Sequence, residues 1–153
     1  MKYIDTSAFV KYYGKEESEK GVEKITELIN KAKAGEEELT SSVFMVGEAI
    51  SVFDRWVRLK IINEKELNMI ISKFSKDIEE LVESNGLTLQ GIDTALILFS
   101  TEIILKHHIP INDSIHLHTA LNISPKIEEF ICSDKNLNDA AKEENLIVFD
   151  PED

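Results

Sequence analysis

Short runs of three to five apolar residues alternate along the chain with longer stretches in which apolar residues recur every three or four positions, a pattern that predicts strands leading into helices. Met1 to Ile4 is such a run, a first strand that delivers Asp5 at its carboxyl end. From about Ser18, the residues Val22, Ile25, Leu28, Ile29 and Ala32 keep the spacing of one helix face, and Gly35 supplies a stop. Glu38 to Ser42 predicts a second strand feeding a helix from about Val43 to Leu59, whose dense apolar content suits a buried position. Asn63 and Glu66 have the spacing of a capping box. They open a helix in which Leu67, Ile70, Ile71, Phe74, Ile78, Leu81 and Val82 hold the helical period until Ser84-Asn85-Gly86. Leu87 to Leu89 predicts a short strand, and an apolar helix follows from about Asp93 to Lys106, ending before Pro110. Asp113 is expected to open the next helix, with Ile115, Leu117, Ala120 and Leu121 on it. Phe130 to Cys132 is a strand, Asp134 begins a short helix through Ala141, and Leu146 to Phe149 closes the chain as a strand.

Strands alternating with helices predict an α/β three-layer sandwich, a short parallel sheet of about five strands flanked by helices. With 153 residues, 42% of them hydrophobic, the chain is expected to form a single domain over residues 1–153. In open sheets of this kind the site lies beyond the carboxyl ends of the strands, where strand order reverses. The strands ending at Ile4 and Cys132 are the expected neighbours of that point, and each is soon followed by an aspartate.

The formal charge of −12 opposes nucleic-acid binding, because phosphate affinity comes largely from Lys and Arg. The objection weakens if the acidic residues divide into solvated runs, such as Lys15 to Lys20 and Glu36 to Glu38, and a second group gathered where a divalent cation reverses the local sign. No run of apolar residues approaches the roughly 20 needed to cross a bilayer, and no leader pattern is visible, so a cytoplasmic protein is expected. The single cysteine, Cys132, lies in an apolar run and reads as a buried structural thiol.

Four acidic residues stand apart because apolar sequence surrounds them: Asp5, Glu48, Asp113 and Asp134. A buried carboxylate is costly unless paired, protonated or metal-bound, so several converging in one place call for a cation. Oxygen ligands without a cysteine cluster fit Mg²⁺ or Mn²⁺. A bland alternative exists for each. Asp5, Asp113 and Asp134 precede expected helices and could serve as N-caps, while Glu48 could pair with Arg55 on the same helix.

Taken together, Tyr3-Ile4-Asp5-Thr6-Ser7-Ala8-Phe9, Val46-Gly47-Glu48-Ala49, Asn112-Asp113-Ser114-Ile115-His116 through Leu121, and Ile131-Cys132-Ser133-Asp134-Lys135-Asn136-Leu137 resemble the PIN-domain family, most closely its VapC-type toxin branch. The resemblance runs from residue 3 to 141. It implies an acidic quartet of Asp5, Glu48, Asp113 and Asp134 that binds metal, with Ser7 and Ser133 orienting carboxylates, and an endoribonuclease activity on RNA. It also implies a homodimer and a small antitoxin partner. Apolar excess in the Val43 to Leu59 and Asp93 to Lys106 helices points independently to a homodimer. Ser114, where alanine is usual, and His118, where a small residue is, depart from the pattern.

His116, one helical turn beyond Asp113, reads as a hydrogen-bonded packing residue rather than a base. Lys106-His107-His108 reads as a helix C-terminus complementing the dipole, and Arg55, Arg58 and Lys60 as a basic stripe suited to phosphate or to surface pairing. Two rivals remain. A phosphatase on a similar sheet commonly carries a second aspartate two residues after the first, where this chain has Ser7; a catalytically silent acidic-groove module would bind a basic partner instead. Toxin or stand-alone RNA-processing nuclease, and one metal or two, stay open.

Overall fold

The computed structural model describes residues 1–14 and 19–153, so the Lys15 to Lys20 run and the helix start expected near Ser18 lie wholly or partly outside the described residues. Five short strands, β1 (Lys2–Ile4), β2 (Leu39–Ser42), β3 (Leu87–Gln90), β4 (Glu129–Ile131) and β5 (Val148–Phe149), form one all-parallel sheet in the order β3-β2-β1-β4-β5. Helices α1 (Thr6–Phe9), α2 (Val22–Lys33), α3 (Phe44–Arg58), α4 (Glu64–Glu83), α5 (Thr94–His107), α6 (Ile111–Asn122) and α7 (Lys135–Glu143) connect them. The architecture is the expected three-layer α/β sandwich.

The two-residue alternation of strands assigns each buried side chain to a layer. Ile4 and Ile131 face a core built with Phe9, Ile25, Ile29, Phe53, Phe74 and Leu81, under α1 to α4. Their neighbours Tyr3 and Phe130 face the other core, with Ile103, Leu117 and Leu137 under α5 to α7, and their rings stack at a centroid distance of 5.2 Å. Strand β2 is buried throughout although three of its four residues are hydroxylic. Burial of those hydroxyls is tolerated because they are bonded: Ser41 Oγ donates to the Ile4 carbonyl at 2.7 Å and Thr40 Oγ1 to the Thr88 carbonyl at 3.0 Å.

The helix boundaries follow local chemistry. The Asn63–Glu66 capping box opens α4, with both reciprocal bonds present. Asp93 caps α5 through the Leu96 N–H, and α5 ends at His108 in a left-handed conformation. Lys106 and His107 in its last turn both reach Glu144, at 2.7 and 2.6 Å. β4 ends at Ile131 and β5 begins at Val148, both shifted from expectation, and the shift that bears on the site is in α6, which starts at Ile111, behind Pro110, with Asp113 the third residue inside it rather than its opening residue. Proline pre-sets the backbone for helix entry, so the helix begins without a side-chain cap and the Asp113 carboxylate is released from capping.

Candidate active site

The order β2-β1-β4 puts the reversal of the sheet between β1 and β4, and register then fixes what lies there. Ile4 pairs with Ile131, and the Asp5 N–H donates to the Ile131 carbonyl at 2.9 Å, so the turn after β1 sits against the turn after β4. Asp5 is buried and caps α1, its Oδ2 accepting the Ser7 N–H at 2.8 Å. Asp134 caps α7, its Oδ1 accepting the Leu137 N–H at 3.0 Å. Capping thus describes one oxygen of each of these two residues and leaves the other. Glu48 comes from the second turn of α3, which follows β2 directly, and Asp113 from the first turn of α6. All four carboxylates line one cleft of about 540 Å³, together with Thr6, Ser7, Gly47, Ser51 and Arg55.

Glu48 does not pair with Arg55. Its Oε2 lies 2.6 Å from His116 Nε2 and accepts the Thr6 hydroxyl at 2.6 Å. The His116 ring is fully buried, with Nδ1 2.8 Å from Tyr3 Oη and 3.6 Å from Asp5 Oδ1. Burial alone would lower its pKa, but the charges of Asp5, Glu48 and Asp113 outweigh burial and raise it. That shift favours the protonated form of the ring, whose Nδ1 faces Tyr3 Oη and whose Nε2 faces Glu48. Burial likewise would raise the Glu48 carboxyl, and the bonds from His116, Thr6 and Asn112 hold it below the usual range. Asp113 has no such cation to itself. Burial, then the charges of Asp5, Asp134 and Glu48, push its carboxyl up to about 7.

The two turns are laced together by small polar atoms. Ser7 Oγ accepts the Ser133 N–H at 3.0 Å, while the Ser7 backbone holds Asp5. Ser133 contributes its backbone, and its own buried Oγ has no hydrogen-bond partner among the described residues. Cys132 is a buried thiol whose Sγ accepts the Asp134 N–H at 3.2 Å and lies 3.6 Å from Asp5 Oδ2. Burial, followed by the Asp5 charge, pushes that thiol far above its ordinary pKa, so it packs rather than reacts.

The PIN domain family matches residues 2–143. The chain belongs to the PIN-domain family. A comparison with curated proteins returns no match. PIN domains are generally metal-dependent nucleases that use Mg²⁺ or Mn²⁺. The donor set in this PIN domain fits such a cation in type: four carboxylates that line one cleft offer only hard oxygen, and a cation among them would offset both the burial and the neighbouring charges that raise Asp113. Among the described residues, no three His, Cys, Asp or Glu side chains already stand at the mutual spacing of a closed shell.

Neither of the two side chains bonded to Glu48 was foreseen as its partner. His116 was legible as a hydrogen-bonded helix residue, and its three-residue offset from Asp113 places both on one side of α6, yet its partner Glu48 lies on another helix. Thr6 stands beside Asp5 in sequence and gave no signal of its own, because its bond to Glu48 bridges 42 positions.

Proposed function

We propose that this PIN domain, acting as a single domain over residues 1–153, is a Mg²⁺- or Mn²⁺-dependent endoribonuclease of the VapC-type toxin branch. The observation that carries this reading is that Asp5, Glu48, Asp113 and Asp134, from four separate segments, line one cleft at the sheet's reversal point. These four would hold the cation. Once bound, it supplies Lewis-acid stabilisation of phosphate charge and makes water nucleophilic near neutral pH. The chain's own contribution is positional. His116 and Thr6 keep the Glu48 carboxylate ionised and directed, the Ser7 backbone fixes Asp5, and the start of α7 fixes Asp134.

Cleavage is expected to need Mg²⁺ or Mn²⁺ and to leave 5′-phosphate and 3′-hydroxyl ends. Incubation of single-stranded RNA with metal-stripped protein, with and without added metal, followed by end analysis of the products, tests this. Full-rate cleavage in excess EDTA sinks the reading. Such a toxin would be cytoplasmic and held by a small antitoxin. A basic segment suits the acidic cleft, because an inserted Arg would compete with the cation for the carboxylates. A neighbouring open reading frame whose product co-purifies with this chain supports the toxin role, and its absence favours a stand-alone RNA-processing nuclease.

The active unit is proposed to be a homodimer. Helix α5 is apolar on nearly every side, and Leu98, Phe99 and Leu105 are 64%, 54% and 75% exposed. Leu98 and Leu105 lie two turns apart on one face, and apolar area of that kind is usually covered by another subunit. Sedimentation is expected to give a dimer mass for the wild type and a monomer for the Leu98→Lys, Leu105→Lys double variant. A wild-type monomer at micromolar concentration removes the dimer.

A further inference from the structure

The carboxylates account for one end of the cleft, and its longer wall is a face of α3. Phe44, Gly47, Ser51 and Arg55 follow one another at intervals of three or four residues, and all line the cleft beside Glu48. At the carboxylate end the Phe44 side chain is 37% exposed, with its ring 6.5 Å from that of His116. Above Gly47 the wall is open, since a Cβ built there would meet nothing within 4 Å. At the far end Arg55 is exposed. Its neighbour Arg58 is held by Asp54 at 2.9 Å, whereas Arg55 makes no ion pair with any described residue, in a chain of net charge −12.

Resting on the nuclease reading, we propose that this face of α3 is the track on which single-stranded RNA enters the cleft, Phe44 stacking on a base beside the scissile phosphate and Arg55 holding a phosphate further along. Seven residues separate Glu48 from Arg55, about 10 Å along the helix, too far for both to serve one phosphate. The guanidinium meets the neighbouring backbone instead. An exposed aromatic ring next to the carboxylates requires a base free of its own stack, which a single strand offers and a duplex does not. The pairing of a π-face with a separated cation is the recognition chemistry of single strands. It also answers the charge objection: one free guanidinium on the approach, with cation charge at the far end, makes an acidic protein locally receptive to phosphate.

Two measurements test this on the full chain. Fluorescence anisotropy in millimolar Ca²⁺ with a labelled single-stranded RNA of about twelve nucleotides reads binding without relying on turnover. Arg55→Ala and Phe44→Ala are each expected to weaken binding about tenfold. Arg55→Ala is also expected to reduce the slope of log affinity against log salt by about 0.7, and Arg55→Lys to restore it. Steady-state hydrolysis in Mn²⁺ then compares the same RNA with bis(p-nitrophenyl) phosphate, a diester too small to reach Arg55. Both variants are expected to raise KM for RNA about tenfold, and Arg55→Ala to leave small-diester KM within about twofold of wild type. Unchanged RNA affinity in both variants overturns the track, as does equal loss on the small diester. Wild-type protein that binds RNA through Arg55 and Phe44 yet cleaves neither substrate leaves the track standing and overturns the nuclease reading.

Discussion

Asparagine at position 113 is expected to abolish RNA cleavage and, in the same molecule, to stabilise the metal-free protein. The first effect follows from losing one of the charged oxygens proposed to hold the cation, a loss worth several kcal/mol of transition-state stabilisation, or roughly a hundredfold to ten-thousandfold in rate. Asp5→Asn, Glu48→Gln and Asp134→Asn are expected to fall in the same range. Asparagine is itself a good N-cap, so the first and last of these keep α1 and α7 anchored while removing charge. The second effect follows from burial and crowding, which push the Asp113 carboxyl up to about 7 in the folded protein, from an ordinary value of 3.8. A group raised on folding adds stability that is complete below its unfolded pKa and is lost as pH climbs through the folded one. His116, also raised, acts in the same direction as pH climbs through its own folded value. Metal-free wild type is therefore expected to melt at a higher temperature at pH 5 than at pH 8, with the difference reduced in Asp113→Asn and offset by Mn²⁺. Thermal melts across that range in EDTA, paired with RNA cleavage in Mn²⁺, measure both halves. Wild-type cleavage by any two of the four amide variants refutes the site, and an Asp113→Asn protein that melts below wild type at pH 8 refutes the crowding.

The fold was legible because its two periodicities are clean. Tyr3 and Ile4, like Phe130 and Ile131, face opposite cores, and long α4 carries both its capping box and its apolar stripe in sequence. Local rules also gave the Asp5 and Asp134 caps, since a cap needs only its next few residues. They misplaced the start of α6, where Pro110 rather than the first acidic residue sets the entry. What no local rule can supply is a bond between distant segments. Glu48 could have met Arg55 at helical spacing and instead found His116, 68 positions away, in a buried environment that rewards a well-made hydrogen bond over an exposed ion pair. Asp77 was less legible still. On α4 it falls next to Ile78 and no local pattern singles it out, yet it is only 5% exposed.

Asp77→Leu is expected to cost the protein about 3 kcal/mol. Asp77 ties three segments together. Its Oδ2 accepts the Tyr13 hydroxyl at 2.9 Å, from the 3-10 turn Val10–Tyr13 that follows α1, and Lys73 Nζ at 2.8 Å from its own helix. Its Oδ1 accepts Lys33 Nζ at 2.5 Å, from the last turn of α2. Lys73 lies in addition 3.9 Å from the centre of the Tyr12 ring. Burial by itself would raise the Asp77 carboxyl, and the hydrogen bonds from Lys33, Lys73 and Tyr13 outweigh it and hold it below the usual range. A leucine leaves the buried Tyr13 hydroxyl without its acceptor and the Lys33 ammonium with only Glu80, at 3.0 Å, and breaking a buried pair from one side costs more than the pair contributes. The half-exposed Lys73 can turn to solvent, which keeps the estimate at the lower end of the range. For a chain of this size about 3 kcal/mol lowers Tm by roughly 6–12 °C. Because the carboxyl is depressed on folding, its contribution is present above the ordinary 3.8 and lost as pH falls through the folded value, so the gap between wild type and Asp77→Leu should close in acid. Cleavage by the folded variant should be unaffected, since Asp77 touches nothing in the cleft. Replacing Lys33 with Met in the same molecule should recover part of the loss, as removing both charges leaves less unpaired than removing one. Thermal melts of the single and double variants at pH 7 and pH 3 settle the point: a Tm within about 2 °C of wild type for Asp77→Leu at pH 7 would mean that these three segments are held by apolar packing alone.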